Sequence, residues 1–244
     1  MALAAYEPRG GYADPTATTV SLMSAAQSLG ARFERREATK LLVWGDRVGG
    51  VETTQGAISA GTVVLAAGAW SVPLAATVGV RLPIRPARVR VAIFERPYSL
   101  ATHLTFIDSL GNFYARPAAE RATLIGTRAS LEWVEDPSSP TPDPGGDFVA
   151  DVSNRLAGRI PTLSGAPYRS GRSGILDMTP DDHAVLGPTG PDGLFLAAGW
   201  SGTGFKKAPA VGAELAAWIQ TGAPRRMELH AWSLDRFDPA LVNR

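Results

Sequence analysis

There is no cysteine in these 244 residues. That excludes a disulfide scaffold, a Cys-ligated zinc or iron–sulfur centre and a thiol nucleophile. Histidine is nearly absent as well. His103, His183 and His230 stand far apart, so no metal site is assigned. Neither sign of charge dominates: 24 Lys plus Arg face 23 Asp plus Glu, a net charge of +1. Such a chain has no global attraction for nucleic acid or anionic lipid. No apolar run approaches the ~20 residues that span a bilayer. The first ten residues, MALAAYEPRG, lack a basic stretch followed by a long apolar one, so no signal peptide is read. The default is a soluble, cytoplasmic protein with no nucleic-acid or membrane partner. What is plentiful is turn chemistry, with 26 glycines and 19 prolines. The apolar fraction of 45% is normal, which excludes intrinsic disorder. The length admits one large domain or two small ones.

Asp14-Pro15 reads as a helix start, an N-cap followed by proline at the first position. An apolar stripe of Leu22, Ala25, Ala26 and Leu29 follows, closed by Gly30. Three strand-like runs come next, over about 36–44, 48–54 and 57–66, punctuated by Gly45-Asp46 and Gln55-Gly56. The apolar run from Thr62 to Ala67 predicts a parallel strand buried on both faces, ending in Gly68-Ala69-Trp70-Ser71. The middle is β-rich and more polar. Val89, Val91 and Ile93 alternate with Arg88, Arg90 and Ala92, the pattern of a half-exposed antiparallel strand. Residues 136–147 (DPSSPTPDPGGD) read as a mobile surface loop. Residues 147–160 predict a helix, with Phe148, Val152, Leu156 and Ile160 every fourth residue. A second short apolar strand, 193–198, leads into a glycine turn and a helix expected from Pro209 to Gln220, stopped by Gly222. The expected layout is strand–helix, an inserted sheet, then strand–helix again.

The turn from Gly199 to Lys206 (GWSGTGFK) carries the clearest chemistry. A buried strand feeds glycines that open a helix. The unpaired N–H groups and positive dipole end there suit an anion or a partly negative oxygen. It is neither a P-loop nor a dinucleotide fingerprint: Phe205 follows Gly204, and Lys207 stands where the third glycine of GxGxxG belongs. No strand–GxGxxG–helix unit occurs anywhere in the sequence.

Thr62 to Ser71 (TVVLAAGAWS), Asp177 to Gly187 (DMTPDDHAVLG) and Gly193 to Gly212 (GLFLAAGWSGTGFKKAPAVG) together resemble the FAD-dependent D-amino-acid oxidase superfamily. The resemblance is strongest to its sarcosine oxidase and glycine oxidase-like branch. It covers nearly the whole chain in order, including the opening helix. It implies an α/β (α+β) fold: a partial FAD-binding Rossmann-like layer over 1–82 and 174–244, with an inserted antiparallel β-sheet substrate domain over 83–173.

The resemblance also implies roles. Gly202, Thr203, Gly204, Phe205 and Lys206 fall on the turn at the pyrimidine edge of the flavin. There, helix N–H groups stabilise the charge of the reduced ring. Lys206 matches the catalytic and substrate-binding lysine that reaches a carboxylate. Gly68, Ala69 and Trp70 match the segment beside the phosphates and ribityl chain. Ala38 falls where a backbone contact reaches adenine. Tyr114 and Arg116 lie on a strand like the family's substrate strand, although a sheet-edge salt bridge also explains Arg116. Asp181 of the T-P-D turn reads as a turn cap, and Asp177 and His183 lie nearby. Some members tether flavin through a cysteine at about Gly174, so FAD here would be noncovalent or tethered by another residue. The implied reaction is oxidation of the C–N bond of an amino acid or N-methylated amino acid, such as sarcosine or glycine.

Family members begin with a Rossmann βαβ unit bearing GxGxxG, and this sequence is expected to lack it. Three readings stand: a fragment of a flavoenzyme, one subunit of a split enzyme whose second chain supplies the GxGxxG half, or a noncatalytic, partner-dependent domain inactive alone.

Overall fold

The carboxylate of Asp14 accepts the Ala17 N–H at 2.8 Å and Pro15 opens helix α1, Pro15–Ser28, as the cap chemistry predicts. Gly30 closes it with φ +96°. The computed structural model describes residues 3–140, 142–226 and 228–238. Strands β1 (Ala38–Trp44), β2 (Arg47–Thr53), β3 (Gly56–Ser59) and β4 (Val63–Leu65) follow, then helix α2 (Ser71–Ala76). Next come β5 (Arg85–Glu95), β6 (Phe106–Asp108), β7 (Phe113–Ala118), β8 (Ala122–Trp133) and α3 (Gly146–Arg159). The chain closes with β9 (Tyr168–Met178), β10 (Val185–Pro188), β11 (Leu194–Ala198) and α4 (Gly204–Thr221). The chain divides into two units. One comprises Met1–Ala31, Arg88–Glu132 and Ser139–Gly174; the other comprises Arg32–Ala87, Trp133–Ser138 and Ile175–Arg244.

The first unit is built on a five-stranded sheet in the order β6-β7-β8-β5-β9. Helix α3 covers one face, burying Phe148, Val152 and Leu156 against Ala92, Phe94, Phe113, Ala115 and Ile125. That is the every-fourth-residue stripe the sequence predicts. The faces of β5 are the reverse of the simple expectation. Ala92 and Phe94 share their face with Arg88 and Arg90, while Val89, Val91 and Ile93 are only half-buried. Arg88 is 8% exposed. It donates to Glu132 Oε1 at 2.8 Å and to the Pro140 carbonyl at 3.0 Å, and Arg90 donates to Glu132 Oε2 at 2.9 Å. One carboxylate thus serves two guanidiniums, whose stems pack as apolar surface. Glu132→Gln is expected to lower stability by about 1–2 kcal/mol, since it strands a buried cation. Asp151→Asn, which breaks the more exposed pair with Arg155, should lose less than ~0.5 kcal/mol. Urea unfolding of both variants checks the contrast.

Helix α1 belongs to this unit but buries none of its residues; Leu22 and Leu29 of its predicted stripe are both exposed. Amphipathic spacing defines a stripe, but burial needs a covering surface, and the described residues offer none.

The second unit holds two three-stranded sheets, β1-β2-β3, which is antiparallel, and β10-β11-β4. In the latter, β10 runs antiparallel to β11 and β4 parallel to it. Leu194, Leu196 and Ala198 of β11 face a core with Leu41, Val48, Leu65 and Ile84. Ala197 faces α4, among Val211, Leu215 and Trp218. Strand β11 is therefore buried on both faces. Strand β4 is not: Val64 is 41% exposed, because the α4 cluster stops at β11 and takes in no β4 residue. The single run expected over 57–66 is split between the two sheets. The chain leaves β3 so that Gly61 can press its carbonyl against Gly193, where a Cβ would sit 2.5 Å away, and Val63 N–H bonds the Gly193 carbonyl. The last helix begins at Gly204 rather than Pro209. Pro209 lies inside the helix, past its first turn, and gives up the bond that an N–H there would make to the Phe205 carbonyl. Glu214, 7% exposed on this helix, accepts the Arg225 and Arg226 N–H groups at 2.7 and 2.9 Å, which fixes the chain beyond Gly222.

Candidate functional site

Strands β4 and β11 are adjacent and parallel, with Val63, Val64 and Leu65 opposite Leu194, Phe195 and Leu196. Their carboxyl ends therefore release the chain side by side, the place where open α/β sheets bind ligands. After β4, Gly68 takes φ +55° and a short 3-10 turn, Gly68–Trp70, leads into α2. Ser71, fully buried, accepts the Ala67 N–H at 3.1 Å and holds this turn. Ala69 is buried, while Trp70 is partly exposed and donates its indole N–H to Ser138 at 2.9 Å.

After β11 the backbone is wound through positive φ at Gly199 (+75°), Ser201 (+51°) and Gly202 (+79°). A Cβ on Gly199 would lie 2.5 Å from Thr179 Cγ2, and one on Gly204 would lie 2.9 Å from the Trp200 ring, so both glycines are required by contact. Around Gly202 there is open space apart from Leu176, 3.3 Å from where a Cβ would stand. Thr203 occupies the N-cap position of α4 but makes no capping bond; its hydroxyl donates to the Trp200 carbonyl at 2.8 Å. No acidic residue stands in the first turn. The helix therefore begins with uncapped N–H groups and an uncompensated positive dipole end. Phe205 and Lys206 are exposed there, and the Lys206 ammonium has no hydrogen bond or ion pair among the described residues. Lys207 is different: its ammonium lies 4.9 Å from the Trp232 ring centre.

Beneath the turn lies Asp177 at the end of β9, only 7% exposed. Its Oδ2 accepts the Gly199 N–H at 2.7 Å, and its carbonyl accepts the Ser201 N–H at 3.0 Å. Burial pushes its carboxyl above the ordinary value, partly offset by the backbone N–H groups of Trp200 and Gly199. Asp181 is structural. It accepts the His183 N–H at 3.1 Å and pairs through both oxygens with Arg236, at 2.8 and 3.1 Å. These hydrogen bonds hold its pKa down at about 2. His183 is exposed, edge-on to Trp232.

Gly68, Ala69 and Trp70 thus stand beside Gly202 to Lys206 at the ends of one strand pair. Ala38 does not join them; it opens β1 in the other sheet of this unit. Tyr114 and Arg116 belong to the sheet unit, on the face of β7 opposite Phe113 and Ala115. The Tyr114 ring lies over Gly126, where a Cβ would be 2.5 Å from the hydroxyl, and burial raises its pKa. The sheet-edge salt bridge considered for Arg116 is absent among the described residues: β7 is an interior strand. Arg116 instead donates to the Pro117 carbonyl and stacks 4.9 Å from the Tyr12 ring. Sequence reasoning missed Ser71, which binds Ala67 four residues away, and Ser201, whose hydroxyl takes the Thr179 N–H from 22 residues away.

Residues 2–218 match the family model described as DAO, FAD dependent oxidoreductase. The chain belongs to this family. It is 31% identical over 252 residues to 4-methylaminobutanoate oxidase (formaldehyde-forming) of Paenarthrobacter nicotinovorans, covering 97% of this chain and 30% of that protein. It is 30% identical to sarcosine oxidase subunit beta of Rhizobium meliloti, covering 94% of this chain and 54% of that one. Among solved structures, L-proline dehydrogenase from P. horikoshii superposes with a TM-score of 0.84 at 25% identity, over 93% of this chain and 61% of that one. The chain therefore spans less than two thirds of the length of the relatives it matches. FAD is the cofactor of the family. The open space at Gly202 and the uncapped α4 N-terminus fit the electron-rich edge of a flavin. No helix among the described residues is long and apolar enough to cross a membrane.

Proposed function

We propose that this chain forms the flavin-ring and substrate half of an FAD-dependent oxidoreductase. Its substrate would be an amino acid or N-methylated amino acid such as sarcosine or glycine, oxidised at the C–N bond. The observation that carries this reading is the pair of glycine turns leaving adjacent parallel strands, one of them opening an uncapped helix beside a lysine with no partner among the described residues. Gly202 to Lys206 would hold the pyrimidine edge, Gly68 to Trp70 the ribityl and phosphate side, and the Ala38 backbone the adenine. Without cysteine there is no thioether tether, so the attachment would be noncovalent or through another residue. Bound FAD supplies the two-electron acceptor that converts the amine to an imine, which water hydrolyses.

Lys206 would hold the substrate carboxylate, a charge-assisted contact suited to its free ammonium. Tyr114 and Arg116 are proposed as further substrate contacts. The pyrophosphate would be bound by a GxGxxG-bearing segment outside these 244 residues, on a second chain or on a longer form of this one. The exposed β4 edge and the unburied α1 support this, as does likeness to a protein named as one subunit of sarcosine oxidase.

The test is anaerobic mixing of the FAD-loaded assembly with sarcosine, glycine, proline and 4-methylaminobutanoate. Bleaching of the flavin absorbance by at least one supports the reading, whereas bound flavin untouched by all four refutes it. Lys206→Ala is expected to raise KM for the carboxylate substrate about 10- to 100-fold, the loss of one charged hydrogen bond. Flavin affinity should change little; equal losses in both would remove Lys206 from the substrate role.

A further inference from the structure

The buried carboxylate of Asp177 is unexplained by packing alone. A desolvated acid is costly unless donors converge on it. Here the Gly199 N–H of the turn read as facing the flavin binds the carboxylate itself, and two neighbouring bonds tie the same two segments together. Gly199 N–H reaches Oδ2 at 2.7 Å, Ser201 N–H reaches the Asp177 carbonyl at 3.0 Å, and Thr179 N–H reaches Ser201 Oγ at 3.1 Å. Three bonds therefore lace 177–179 to 199–201. On its other side Oδ2 stands 3.9 Å from where a Cβ on Gly68 would project, so the same carboxylate borders the turn after β4. The laced segment carries the positive-φ backbone, including Ser201, a conformation that costs a non-glycine residue roughly 1 kcal/mol or more and persists only when its surroundings enforce it.

We propose that Asp177 is a positioning residue for the cofactor: its carboxylate holds the Gly199–Gly202 turn in the left-handed path that leaves the α4 N–H groups free, and places a fixed negative charge between the two glycine turns. The proposal rests on the reading of this turn as the flavin-edge turn. An amide is a poor substitute. It keeps one acceptor but turns an N–H₂ toward the main-chain donors and removes the charge.

Two measurements separate the clamp from the functional reading. In the chain by itself, Asp177→Asn should speed amide hydrogen exchange at Gly199, Trp200 and Ser201 by tenfold or more, with α3 amides unchanged. In the FAD-loaded assembly it should weaken FAD about tenfold and move the flavin reduction potential positive, because a negative charge that disfavours the reduced anion is gone. Ser201→Ala removes the Thr179 acceptor while keeping the charge, so it should loosen exchange and FAD binding without the potential shift. If Asp177→Asn does not fold, loosened exchange in Ser201→Ala supports the clamp and unchanged exchange overturns it. Unchanged exchange and FAD affinity in a folded Asp177→Asn overturn the proposal. Faster exchange in Asp177→Asn, with wild-type assemblies that take up no FAD, keeps the clamp as a structural device but overturns both its cofactor role and the functional reading.

Discussion

Gel filtration of the purified 244-residue chain after incubation with excess FAD is expected to return colourless protein. Addition of a strand–GxGxxG–helix chain that completes the site should return a yellow complex. The expected difference in affinity is large. A pyrophosphate at a glycine-rich helix start accepts several charge-assisted N–H bonds. Losing ~4 kcal/mol of such contacts weakens binding on the order of 10³-fold. The turns proposed to hold the flavin ring and the ribityl side would not replace them. Strand β4, with Val64 41% exposed and its outer edge unpaired among the described residues, is an edge open to pairing with a further strand. A stoichiometric flavoprotein formed by the chain alone would refute this expectation and the split-site reading together.

Arg236→Ala should be the most damaging single substitution outside the cores. This guanidinium binds both oxygens of Asp181, the His183 carbonyl at 2.7 Å and the Trp232 and Ser233 carbonyls at 2.8 and 3.1 Å, and it lies over the Phe237 ring. It staples the short 3-10 turns Leu229–Trp232 and Leu234–Arg236 to the T-P-D turn. Removal strands three carbonyls. With Asp181 partly in solvent, the expected loss is about 2 kcal/mol, a fall of roughly 4–8 °C in Tm. The loss should depend on pH. Asp181 is held at about 2, below its unfolded value near ~3.9. Its stabilisation is therefore complete above about pH 5 and fades as pH falls through about 4 toward 2. The Tm gap between wild type and variant should narrow over that interval; a gap constant down to pH 2 would remove the ion pair from the account.

What the sequence revealed was local. The cap at Asp14-Pro15, the stripe of α3 and the strand–glycine–helix units after β4 and β11 each declare themselves within a dozen residues. The features it hid depend on distant partners. Arg88 looked solvent-facing because Glu132 lies on another strand. The open face of β4 looked buried because an apolar strand cannot record which of its sides a helix reaches. Of the candidate site, the turn Gly202–Lys206 was legible from its glycines, yet the residues that brace it, Asp177 and Ser201, carry no pattern of their own.

The pairing of β4 with β11 also bears on how the molecule folds. It joins residues separated by about 130 positions, a closure that is entropically slow. The sheet of the other unit shortens that path. Its strands β5 and β9 are neighbours, so once they pair, the incoming and outgoing segments emerge together. The remaining search is then that of a much shorter loop. The inserted sheet should therefore form first in refolding, with the parallel strand pair, and any capacity to hold flavin, appearing in the slower phase.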